Sequence, residues 1–92
     1  MGAPYGAIIA NHPHIPEILR QLQSSSKPLL MMDIRRILPH IPSREMLRAL
    51  YYLANNGYCD TCMIVTSHRS RPYRAYGPIT NFGTRLLTAA SA

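Results

Sequence analysis

Two amphipathic segments meet across four residues, Pro39-His40-Ile41-Pro42, and this connection constrains the fold more than any other feature of the chain. On its N-terminal side, Leu30, Ile34, Ile37 and Leu38 line one face of a short helix. That helix must stop before Pro39, because the residue preceding a proline avoids the helical region. On its C-terminal side, Ser43 is suited to cap a helix that runs to Gly57, a natural C-terminal stop. At about 100° per residue, Met46, Leu47, Leu50, Leu53 and Ala54 gather on one side of this helix, while Arg44, Arg48, Tyr51 and Asn55 gather on the other. One face is fit for a core, and the other carries hydrogen-bond donors and an aromatic ring.

The flanking segments follow from the same reasoning. Ile15, Ile18, Leu19 and Leu22 recur at i, i+3, i+4 and i+7, and Pro16 suits a first helical turn, so a further helix precedes the pair and ends at "SSSKP". Residues 1–13 hold neither period for long and read as a flexible N-terminal arm. Beyond Gly57 the pattern becomes strand-like: Cys62 to Thr66 ("CMIVT") is β-branched and short, and Tyr73 to Gly77 ("YRAYG") alternates after Pro72. These strands bracket "SHRSRP", which becomes the tip of a basic hairpin. Residues 80–92 form a tail with weak helical character from Thr84 to Ala90. At 92 residues this is one domain, spanning 14–79.

The order helix, helix, turn, helix and basic hairpin, with "SREMLRALYYLANNGY" at its centre, resembles the winged helix-turn-helix superfamily over about Ile15 to Ile79. The resemblance implies an α+β fold of three helices followed by a two-stranded β-hairpin wing, with the tail as an optional C-terminal helix. It further implies that residues 43–56 enter the major groove of double-stranded DNA while residues 67–74 lie on the backbone or minor groove. The paired prolines depart from many members of the superfamily, and the angle of the third helix is the feature they affect.

The residue chemistry points the same way. The net charge of +6 lies mostly beyond residue 40, where six arginines face two acidic side chains, an imbalance that favours a polyanionic partner. Anionic membrane surfaces attract the same charge. Arginine pairs with guanine and asparagine with adenine in bidentate fashion, which makes Arg44, Arg48 and Asn55 candidate base readers. Tyr51 and Tyr52 have the reach for a phosphate or a thymine methyl, and His68, Arg69, Arg71 and Arg74 supply backbone contacts. A solvated helix face and a solvated loop would carry the same residues. The expected function is sequence-specific binding of duplex DNA by a small transcriptional regulator acting through site occupancy. A homodimer is expected, joined through Tyr5–Ile9 or Phe82–Leu87, whose apolar residues are surplus to the predicted core.

Two alternatives remain open. One is a winged-helix module whose aromatic face binds a protein. The other is a zinc- or redox-dependent regulator built on Cys59 and Cys62, with His12, His14, His40 or His68 as further ligands. Cysteines three apart on one strand point to opposite faces with α-carbons about 10 Å apart, too far for a shared metal or a disulfide, and His40 reads as structural. No metal or other cofactor is assigned. Four carboxylates, no nucleophile–base spacing and no phosphate-cradling glycine loop argue against an enzyme. No apolar run is long enough to span a bilayer and no secretory pattern opens the chain, so a cytoplasmic location with reduced cysteines is expected.

Overall fold

A computed structural model describes residues 3–65 and 71–91. Among these residues the chain is a small α+β domain of five helices and one three-stranded antiparallel sheet: α1 (Ala3–Asn11), α2 (Ile15–Ser24), β1 (Leu29–Leu30), α3 (Met31–Ile37), α4 (Ser43–Asn55), β2 (Cys59–Ile64), β3 (Tyr73–Ile79) and α5 (Asn81–Ser91). The strand order is β1-β3-β2. No helix is long and apolar enough to cross a membrane among the described residues.

Two of the three periodic segments fold as their spacing requires; in the third, Ile34 and Leu38 are buried as expected, but Leu30 belongs to β1 rather than to the helix and Ile37 is exposed. Ile15, Ile18, Leu19 and Leu22 of α2 are all buried, as are Met46, Ala49, Leu50 and Leu53 of α4, and both sets join one core with Ile34, Leu38 and Ile41. Leu47, expected on the apolar face of α4, is half-buried at its margin. The start of α4 differs from expectation. Pro42, at φ −59° and ψ 143° and without a side-chain cap bond, is the capping residue, and Ser43 is already the first residue of the helix. Proline serves here because its carbonyl accepts the first helical bond, from Met46 N–H at 2.9 Å, while its fixed φ turns the chain into the helix.

The other end of α4 closes as a Schellman motif. Tyr58 N–H donates to Leu53 O at 2.9 Å and Gly57 N–H to Ala54 O at 3.4 Å, with Gly57 at φ +78°. A side chain at that φ is strained, so the glycine fixes where the helix stops and the sheet begins.

Both the helix and strand counts exceed the three helices, hairpin and optional tail helix read from sequence. Residues 3–11 form a helix where an irregular arm was expected. Its stripe is weak, but Ile8 is buried against the core and α1 packs on α5, so tertiary contact stabilises what periodicity does not announce. The third strand, β1, is only two residues long and exists through pairing: Leu29 opposes Tyr76 and Leu30 opposes Ala75. Strand β2 begins at Cys59, earlier than expected, with an irregularity between Cys59 and Thr61 before Cys62 pairs with Ala75 and Met63 with Arg74. The tail is the helix α5, packed on α2 through buried Leu86 and Leu87.

Candidate nucleic-acid interface

The exposed side of α4 carries a regular series of polar side chains. Arg44, Arg48, Tyr51 and Asn55 follow at intervals of four, three and four residues, which sets them in one row along the helix. All four are solvent-exposed, Tyr51 by 46%. Eleven residues at a rise of about 1.5 Å give the row a length of about 16 Å, half a turn of duplex DNA. Burial of Met46, Ala49, Leu50 and Leu53 on the opposite side forces the row outward.

Tyr52, a candidate of the same helix, stands apart from this row. It is half-buried, with its ring 4.9 Å from that of His12 and stacked at 6.2 Å on Tyr58, and so joins α4 to the segment between α1 and α2. A residue one position beyond Tyr51 is rotated by about 100°, enough to turn it from solvent to packing. His12 is held below the usual imidazole range by burial and then by the charge of Arg48, which puts Arg48 at the edge of the same aromatic group. A cleft of about 40 Å³ between them is lined by Asn11, His12, His14, Glu45 and Arg48.

The row continues toward the sheet. Tyr76 of β3 has its hydroxyl pushed up by burial and then by neighbouring Tyr51, while Arg74 pulls in the opposite direction. Tyr76 thus lies within electrostatic reach of both a residue of the row and an arginine of the hairpin. Arg74 is exposed opposite Met63, and Arg71 is exposed just before β3. His68 and Arg69, the other two hairpin candidates, lie outside the described residues.

Sequence reasoning passed over Arg35 and Arg36. Both are exposed in the last turn of α3, and Arg35 shares a shallow groove of about 240 Å³ with Tyr73 and Arg74. Two consecutive arginines on a seven-residue helix were the available signal, but the proximity of Arg35 to the hairpin depends on β1 pairing with β3.

The two cysteines differ in burial, and an irregularity between Cys59 and Thr61 interrupts the regular alternation expected of them. Cys59 is buried and Cys62 exposed, and both are free. Burial, with Asp60 beside it, pushes the Cys59 thiol up to about 11, against the weaker opposing effect of a backbone hydrogen bond at Gly77. That is the setting of an unreactive structural thiol. Comparison of the chain with protein-family models, with curated proteins and with solved structures gives no match.

Proposed function

We propose that the chain is a winged helix-turn-helix protein that binds double-stranded DNA with sequence preference and regulates transcription by occupying its site. The observation that carries this reading is the outward row Arg44, Arg48, Tyr51 and Asn55 on α4, the helix that follows the tight turn and precedes the hairpin. The sheet supports it: β3 is central, and β2, the edge strand that leads into the hairpin, lies against α4. In this reading α4 enters the major groove, with Arg44 and Arg48 on guanine edges and Asn55 on adenine. Arg71 and Arg74 of the hairpin meet phosphates, as do His68 and Arg69, which lie outside the described residues, and Arg35 and Arg36 extend the same basic surface.

Titration against preferred and scrambled duplexes at several salt concentrations tests the proposal. Arg48→Ala is expected to cost about 1–3 kcal/mol on the preferred duplex and to relax the base choice there. Arg71→Ala and Arg74→Ala weaken both duplexes alike and flatten the log–log salt slope by about one each. Binding that is equal for wild type and all three variants at every salt concentration refutes it.

A second reading, a protein-interaction module, draws on the exposure of Met63, Val65 and Phe82, at 56%, 72% and 60%. Pairing of two copies belongs with the proposals too, on altered grounds. Ile8, Leu86 and Leu87 are taken up by the core, which leaves Phe82 and a groove lined by Tyr5, Ile9, Ala89 and Ala90 as the surfaces for a dimer contact.

A further inference from the structure

The chain has four acidic and four histidine side chains, and two of each converge at one place. His14 precedes the first residue of α2, Glu17 lies in its first turn, His40 sits in the Pro39–Pro42 connection, and Glu45 lies in the first turn of α4. Nε2 of His40 is 2.5 Å from Oε2 of Glu17. Nδ1 of His14 is 3.7 Å from Oε1 of the same carboxylate, and its Nε2 is 3.4 Å from Oε2 of Glu45. One donor atom from each of His14, Glu17 and His40 lies within 4.8 Å of the other two.

We infer that His14, Glu17 and His40 form a binding site for a divalent transition-metal cation of the zinc type. Two imidazoles and a carboxylate are a donor set that zinc takes with a fourth position left to water. Bonds of about 2.0–2.2 Å to tetrahedral zinc put donor atoms about 3.3–3.6 Å apart, so the His40–Glu17 pair has to open by about 1 Å and the widest pair to close by about 1 Å around the ion. The side chains are free enough to do so: His40 is 55% exposed, Glu17 36% and His14 26%.

The second carboxylate strengthens the assignment. A histidine that ligates through one ring nitrogen characteristically holds a carboxylate with the other, which fixes its tautomer and its orientation. His14 has this arrangement, with Nδ1 toward Glu17 and Nε2 toward Glu45. In a chain with a net charge of +6, placing two of four carboxylates around one imidazole concentrates negative charge where a cation would be held. The site ties the start of α2 to the turn before α4. It does not depend on the DNA-binding proposal, and it uses neither cysteine.

The test is a titration of chelator-treated, desalted protein with zinc, followed by calorimetry and by competition with a chromophoric chelator. One equivalent is expected to bind, with affinity reduced at least about tenfold in His40→Gln and in Glu17→Gln and unchanged in the double variant Cys59→Ser, Cys62→Ser. Cobalt in place of zinc is expected to show d–d absorption without a sulfur charge-transfer band. Because a variant can lose its fold, imidazole resonances of the wild-type protein provide a separate measurement: those of His14 and His40 shift with one equivalent of zinc. Absence of stoichiometric binding up to a concentration on the order of 100 μM overturns the inference. So does affinity retained in folded Glu17→Gln and His40→Gln, affinity lost with the cysteines, or unmoved His14 and His40 resonances.

Discussion

Gly83→Ala is expected to destabilise the fold although it replaces a helical glycine with the best helix former. A Cβ at this position would lie 2.1 Å from the carbonyl oxygen of Tyr58 and 2.6 Å from Cγ1 of Ile79. Ordinary carbon–oxygen contacts begin at about 3.3 Å, so the approach is short by about 1.2 Å. The obstacle cannot step aside, because the Tyr58 carbonyl accepts a hydrogen bond from Thr80 N–H at 3.2 Å and Tyr58 N–H closes the end of α4. Relief requires α5 to move away by about 1 Å, which loosens Leu86 and Leu87 from the core. Overpacking costs about 1–3 kcal/mol, and about 3–4 kcal/mol where, as here, backbone is struck, while helix propensity returns at most about 1 kcal/mol. A net loss of about 2–3 kcal/mol corresponds to a melting temperature lower by roughly 10–20 °C in a domain of this size. Thermal melts and urea titrations measure it, with Gly6→Ala as the control. Gly6 lies in α1 with nothing within 4 Å of its would-be Cβ, and the substitution there is expected to stabilise by about 0.5–1 kcal/mol. A Gly83→Ala protein that melts within about 2 °C of wild type, or above it, refutes the close-approach argument.

Thr80 joins the same junction, since its hydroxyl donates to Gly57 O at 2.6 Å and accepts from Gly83 N–H at 3.2 Å. Thr80→Val keeps the shape, removes both bonds and is expected to cost about 1–2 kcal/mol in urea titration. Cys62 is expected to react quickly with a thiol reagent at pH 8 while Cys59 stays protected until the protein unfolds, and equal rates for the two would refute this assignment. The raised Cys59 value has a defined sign in stability. The folded thiol keeps its proton up to about 11 while the unfolded one releases it near the ordinary 9.0, so the contribution is intact below pH 9 and is lost as pH rises toward 11. Tyr58 and Tyr76, also pushed up by burial, act in the same direction, so Cys59→Ala is expected to reduce the alkaline fall without abolishing it.

The helices that build the core were legible because their burial is written at helical spacing. Ile15, Ile18, Leu19 and Leu22 in α2, and Met46, Leu50 and Leu53 in α4, can reach a common core only as helices, and the outward row of α4 is the complement of that pattern. The burial of Cys59 and exposure of Cys62 agree with the expectation that the two thiols differ in setting, but the irregularity between Cys59 and Thr61 interrupts the simple alternation on which it rested. What lacked a local signal was decided by tertiary contact. The helix α1 has little amphipathic pattern and is held by Ile8 and by packing on α5, and β1 is a strand only because Tyr76 and Ala75 lie beside it. Tyr51 and Tyr52 are adjacent and alike in sequence, yet the packing of His12 and Tyr58 turns one inward and leaves the other in the outward row. His40 stands 23 residues from Glu17, and only the closure of the Pro39–Pro42 turn over α2 brings an imidazole to that carboxylate. Local patterning determines which faces are apolar, because periodicity is a property of neighbouring residues. Which distant side chains meet is determined by how those faces pack, and one segment of sequence does not contain that information.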